Sequence, residues 1–242
     1  MRDDSLAGVK TGSRKLVIAI DGPAGSGKST LAALLARKYN YTNIETGAMY
    51  RALAFKAIEG GVSLDDENKL AELAKQPRIK LISDSDGNRV LLDGKDVTER
   101  LRSQEVTEGA SKVSVHPAVR EWMVAAQQKM GAGGGIVMEG RDIGTKVFPD
   151  ADVKIFLDAA PEIRGTRRFQ QSPAEAAHEA FVVAELQARD QRDRTRANSP
   201  LAPAADAILI DSTYLTLDQV LARAVEVIEE RLSRRQGSEM QA

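Results

Sequence analysis

The 242-residue chain contains no cysteine, which excludes disulfides, thiolate nucleophiles and Cys-based zinc sites and fits a reducing compartment. Histidine is scarce too. His116 and His178 lie far apart, in no HExxH or HxxxH setting, which argues against a histidine metal centre. Neither sign of charge dominates: 34 Lys and Arg stand against 35 Asp and Glu, so no global basic field exists to hold a long nucleic acid. Long apolar runs are absent as well. Runs such as residues 16–20 fall far short of the roughly 20 residues that span a bilayer. Residues 1–15 mix Arg2, Asp3, Asp4, Lys10, Arg14 and Lys15 without the apolar stretch of a signal peptide. The expectation is a cytoplasmic chain with no membrane and no nucleic-acid partner. Its length suits one core with a smaller appended unit. We place a disordered leader at 1–15, the domain at 16–232 and a polar, disordered tail at 233–242.

Residues 16–21 (LVIAID) form a short, almost continuously apolar run, as a strand buried on both faces does. A glycine-rich segment follows, and then Leu31, Leu34 and Leu35 recur at helical spacing over 29–39. Similar strand signals at 136–138, 153–157 and 207–210, and a shorter one at 43–45 before a helix starting near Gly47, alternate with helical stretches. Such alternation implies an α/β fold with a parallel sheet and crossover helices. The last helix is marked by the capping-box pair Thr216 and Gln219, followed by an apolar stripe from Leu217 to Ile228. Residues 79–102 break the alternation. Two strand-like runs, 79–82 and 89–92, flank SDSDGN and predict a small antiparallel insert. Helices over 68–75 and 117–130 enclose it, with Pro117 at a start and Gly131 at an end.

Residues 22–30 read GPAGSGKST, so Gly22, Gly27, Lys28 and Ser29 satisfy G-x-x-x-x-G-K-[ST]. Glycines let such a loop fold tightly, so that backbone N–H groups from Gly22 and from Ala24, Gly25 and Ser26 through Thr30, with Pro23 lacking one, can face nucleotide phosphates at a helix N-terminus. Lys28 supplies a mobile charge near a transferred phosphoryl group, and the Ser29 hydroxyl is placed for Mg2+. A glycine-rich surface turn is the alternative, but a buried strand before the motif and a helix after it favour the phosphate loop. No NKxD segment reads guanine, and no apolar strand ends in Asp-Glu; both absences favour a small kinase over a switch or motor.

Three further groups carry chemistry. ETGAMYR (45–51) and EGRDIGT (139–145) each leave a strand end, where open α/β sheets bind ligands. The third is ARDQRDRTR (188–196), preceded by Arg164, Arg167 and Arg168. On a helix Arg189, Arg192 and Arg196 share a face, and planar guanidinium groups suit phosphate oxygens. A solvated helix laced with Asp–Arg pairs is the other reading of that run.

IDGPAGSGKST, TGAMYR, LRSQEVTEGAS, the arginine of PAVRE, EGRDIGT, VFPDADVKIFLDA, RDQRDRTR and IDST follow one another over residues 16–231. In this order they resemble the bacterial-type cytidylate kinases, of the nucleoside monophosphate kinase fold. The resemblance implies a five-stranded parallel sheet with flanking helices, a monophosphate-binding insert over about 62–115 and an arginine-bearing lid over about 165–196. It further implies a monomer that transfers the γ-phosphoryl group of ATP, with Mg2+, to CMP or dCMP, with UMP a poorer acceptor. Position by position, it makes Ser111, Arg120 and Asp142 the cytosine readers and Arg189 and Asp193 the ribose contacts. Thr46, Arg51, Arg141 and Arg196 become the acceptor-phosphate and transfer group, and Lys28, Arg141, Arg192 and Arg196 the catalytic set. Base chemistry agrees: a carboxylate can accept from the cytosine 4-amino group, where uracil presents an acceptor. Many relatives carry Ser at the position of Thr46 or Gly at that of Ser29, and the stretch 170–184 is low in basic residues for a lid. The rivals are a kinase for a different nucleoside monophosphate and a nucleotide-dependent RNA-binding switch using the arginine run.

Overall fold

The structure, a computed structural model, describes residues 15–76, 78–84, 87–171 and 179–239. Its centre is β1 (Val17–Asp21), buried at every position. Leu16, Ile18 and Ile20 face one apolar layer with Leu31, Leu35, Val220, Ala224 and Ile228, while Val17 and Ala19 face a second with Ile44, Met138 and Ile143. Both faces are covered, which is why the strand reads as an unbroken apolar run rather than an alternating one.

The chain then runs through α1 (Lys28–Tyr39), β2 (Thr42–Glu45), α2 (Thr46–Glu59) and α3 (Glu67–Lys75). A hairpin of β3 (Ile79–Asp84) and β4 (Gly87–Leu92) takes up a two-residue third strand, β5 (Lys95–Asp96), in a separate antiparallel sheet. The expected insert is therefore present with one strand more; residues 85 and 86 of its turn lie outside the described residues. Helices α4 (Gln104–Val113) and α5 (Pro117–Gly131) lead back to β6 (Ile136–Gly140). Next come a π-helical turn at Ile143–Val147, β7 (Val153–Asp158), α6 (Pro161–Gln171), α7 (Glu179–Thr195), β8 (Ile208–Asp211) and α8 (Leu217–Glu239).

The main sheet has the order β2-β6-β1-β7-β8, all parallel. Helix α4 has no counterpart among the sequence-based expectations. The tail also departs from them: α8 continues through Glu239, where disorder is expected from 233. Two ion pairs hold that extra length, Arg235 with Asp152 at 3.5 Å and Arg234 with Glu230 one turn back. The leader through residue 14, residues 240–242 and residues 172–178, including His178 and much of the expected lid stretch, lie outside the described residues. Among the described residues no helix is long and apolar enough to cross a membrane.

Candidate active site

The carboxyl ends of β1, β2, β6 and β7 converge on one cavity of about 880 Å3, as open α/β sheets arrange their ligand crevices. Its floor is the loop between β1 and α1. Gly25 and Gly27 there take φ of 76° and 96°, and at Gly22 a Cβ would lie 2.0 Å from the Leu157 carbonyl oxygen. Only glycine lets the loop run this close to β7. Ala24 through Thr30 line the cavity, while Pro23 contributes its carbonyl, which accepts from Lys28 Nζ at 2.7 Å. Burial first, and then the nearby Arg141 charge, pull the Lys28 ammonium down to about 7.

Around the floor stand Glu45, Arg51, Glu139, Arg141, Arg167, Arg168 and Arg189. Arg51 is held by an ion pair to Glu45 across the β2–α2 junction. The Nε atoms of Arg51 and Arg189 are buried without a hydrogen-bond partner. Burial and the charge of Arg141 lower the Arg189 guanidinium to about 10. Several guanidinium groups thus crowd one wall with donors to spare, a site that anionic oxygens would satisfy.

Glu139, at the end of β6, accepts from the Ser29 hydroxyl at 2.5 Å, and its backbone carbonyl accepts from the Thr46 hydroxyl at 2.8 Å. Burial, with Glu45 beside it, raises the Glu139 carboxyl. Among the described residues no three His, Cys, Asp or Glu side chains cluster as a metal cage. A hydroxyl beside a carboxylate is nonetheless the donor pair that suits Mg2+ when phosphates supply its other ligands.

A second, buried network lies behind Arg141. Asp142 pairs with Arg120 from α5, and Arg196 lies 3.8 Å from both Asp142 and Asp193. Asp193 in turn accepts from Arg141 at 3.0 Å. Burial opposes ionisation of Asp193, but Arg141, Arg189 and Arg196 outweigh it and hold the carboxyl below its ordinary range. Ser111, buried on α4, accepts from Arg192 Nε at 3.3 Å and joins Arg189 and Arg192 in lining a smaller neighbouring cavity of about 370 Å3.

The sequence-derived residues therefore fall into three groups. Ala24 to Thr30, Arg51, Arg141 and Arg189 line the large cavity; Thr46, Arg120, Asp142, Asp193 and the side chain of Arg196 are buried beside it and reach it through Arg141 and Glu139; Ser111 and Arg192 meet at the smaller cavity. Three helix arginines do not share one face equally: Arg192 is exposed, and Arg196 falls just beyond the end of α7. Asp190 and Asp193 point inward to Arg164 and Arg141, so the run is not a solvated helix closed by its own side chains. Sequence reasoning includes Glu45 and Glu139 only as the first residues of two motifs, with no role of their own, and gives none to Asp21. Each lies at the carboxyl end of a strand, Asp21 and Glu45 as its last residue and Glu139 as its last but one, a signal legible in VIAID, TNIE and IVMEG.

The family model described as "Cytidylate kinase" matches residues 18–230. The cytidylate kinase of Bacillus subtilis is 46% identical over 220 residues, covering 90% of this chain and 98% of its own. That of Pelotomaculum thermopropionicum is 50% identical over 211 residues, covering 86% and 93%. The Syntrophotalea carbinolica protein of the same name is 46% identical, covering 90% and 94%.

Proposed function

The chain belongs to the cytidylate kinase family, and from that membership we infer that its cavity is where the γ-phosphoryl group of ATP passes to CMP or dCMP, giving CDP or dCDP and ADP. The observation that supports the residue roles is the continuity of the phosphate loop, the arginine wall and the buried Asp142–Arg120 pair. Donor phosphates lie on the loop formed by Gly22, Pro23, Ala24, Gly25, Ser26, Gly27, Lys28, Ser29 and Thr30. Lys28, Arg141, Arg192 and Arg196 stabilise the charge that develops during transfer, a task that is mainly electrostatic and positional.

On the acceptor side, Thr46, Arg51 and Arg141 hold the monophosphate, with Arg196 joining them; Arg189 and Asp193 take the ribose; Ser111, Arg120 and Asp142 read the base. The acceptor phosphate is already anionic, so no general base is required. Ser29, with Glu139 beside it, would hold Mg2+, which when bound neutralises charge on the donor phosphates. The segments of about 62–115 and 165–196 act as acceptor insert and lid. The protein works as a cytoplasmic monomer on free nucleotides, without nucleic-acid or membrane partners.

A coupled assay of ADP release against CMP, dCMP, UMP, AMP and GMP tests the reading. CMP and dCMP are expected to lead, with UMP well behind. Equal turnover of AMP or GMP would assign the acceptor site to another base.

A further inference from the structure

The carboxylate of Asp21 accepts two backbone N–H groups from across the sheet, that of Ile143 at 2.8 Å and that of Gly144 at 2.7 Å. Ile143 and Gly144 immediately follow Asp142 and open the π-helical turn, whose last two N–H groups, of Lys146 and Val147, close back onto the Asp142 carbonyl. Asp142 itself takes φ −149° and ψ 27°. Two anchors therefore fix this turn: the fully buried Ile143 side chain in the second apolar layer, and the Asp21 carboxylate beneath the backbone. Gly144 is packed closely enough that a Cβ would meet Lys154 at 3.2 Å and Asp21 at 3.4 Å.

Asp21 is also the last residue of β1, joined by one peptide bond to Gly22 at the start of the phosphate loop. Strand register aligns it with Gly140 on β6. One buried carboxylate thus ties the segment that grips the donor to the segment that presents Asp142. Burial pushes its carboxyl up to about 6, so holding it there opposes its ionisation, while its two charge-assisted hydrogen bonds favour it.

We propose that Asp21 is a positioning residue for acceptor recognition, fixing the backbone at Ile143 and Gly144 so that the Asp142 carboxylate is held where the acceptor base is read. This rests on the reading of Asp142 given above. It separates Asp21 from a general structural role, because a slackened turn harms the acceptor that needs the Asp142 carboxylate more than one that does not.

The test is Asp21→Asn, which keeps the side-chain volume but offers one acceptor where two N–H groups need one each. With folding checked by circular dichroism, kcat/KM for CMP is expected to fall about tenfold, mainly through KM, while that for UMP changes by less than about threefold. The KM for ATP is expected to stay within about twofold. In an Asp142→Ala background Asp21→Asn is expected to leave the CMP/UMP ratio unchanged, since its route to the base is already cut. Equal losses for CMP and UMP, or a ratio change that persists without Asp142, would overturn the proposal. If instead the wild type shows no CMP preference, or Asp142→Ala leaves that preference intact, it is the assignment of Asp142 that fails. Should Asp21→Asn not fold, Gly144→Ala presses a methyl group against Lys154 and the Asp21 carboxylate and so disturbs the same anchor. A CMP/UMP ratio lowered about threefold supports the proposal, and an unchanged ratio overturns it.

Discussion

Lys28 Nζ donates to the carbonyl of Pro23 at 2.7 Å, five residues back along its own loop. The loop backbone therefore presets the ammonium before any phosphate arrives, which reduces the reorganisation that transfer requires. Removing the amine in Lys28→Ala is expected to lower kcat by at least about a hundredfold while the circular dichroism spectrum is retained. Near-normal turnover would mean that residues 22–30 are not the transfer site.

The arginines at the end of α7 differ in setting, and their mutants should differ accordingly. Arg189 lines the cavity with an unpartnered Nε, and the Arg196 side chain is almost fully buried beside Asp142 and Asp193. Arg194 is half exposed and 3.6 Å from Asp158 at the surface. Alanine at 189 or 196 is expected to change kcat or the CMP KM by about tenfold or more, whereas alanine at 194 should stay within about twofold. A flat profile across all the arginines, including Arg192, would favour a purely structural role.

This gradient marks where sequence reading reaches and where it stops. Alternating apolar runs were enough to expect the parallel sheet, because β1, β6 and β7 are buried on both faces and their composition reflects that directly. Helix α4, which carries Ser111, was not legible as a helix. Its sequence QEVTEGASKV has no leucine stripe, because Gly109 lets it pack tightly on α2, where a Cβ would come within 3.2 Å of Ala54. The pairing of Glu139 with Ser29 was hidden for the opposite reason. In sequence Glu139 is one charge among several in EGRD, and only the register of β6 beside β1 brings it to the Ser29 hydroxyl.

A pH signature follows from Asp21, which faces the Ile143 and Gly144 amides with Asp142 and Lys28 nearby. Its carboxyl is raised by burial from 3.8 to about 6 in the folded chain. The folded state therefore holds a proton that the unfolded state has released, and stability from this group falls as pH rises from about 4 to about 6. Compared with Asp21→Asn, the wild type is expected to lose about 1 kcal/mol of relative stability between pH 5 and pH 7. Denaturant melts of both proteins at the two pH values check this. A constant difference would mean that Asp21 is ionised throughout.

Asp142 offers the sharpest test of base recognition, and the structure sets the terms on which it must be run. Its carboxylate is also the partner of the buried Arg120, whose Nε already lacks a hydrogen bond, so Asp142→Ala strands a guanidinium inside the protein. That alone could cost about 3–5 kcal/mol of stability, and a lower rate with CMP would then say little about the base. Comparing CMP with UMP in the same variant removes the difficulty, because damage common to both acceptors cancels in the ratio of kcat/KM values. Cytosine loses an acceptor for its amino group, whereas uracil loses a repulsive neighbour. One hydrogen bond to a charged group is worth roughly 1.5–3 kcal/mol, so the CMP preference is expected to fall about tenfold to a hundredfold. Asp142→Asn, which retains an oxygen for Arg120 and spares stability, should shift the ratio in the same direction. If both variants keep the wild-type ratio with saturating ATP, Asp142 belongs to the scaffold that holds Arg120, and cytosine must be recognised elsewhere in the cleft.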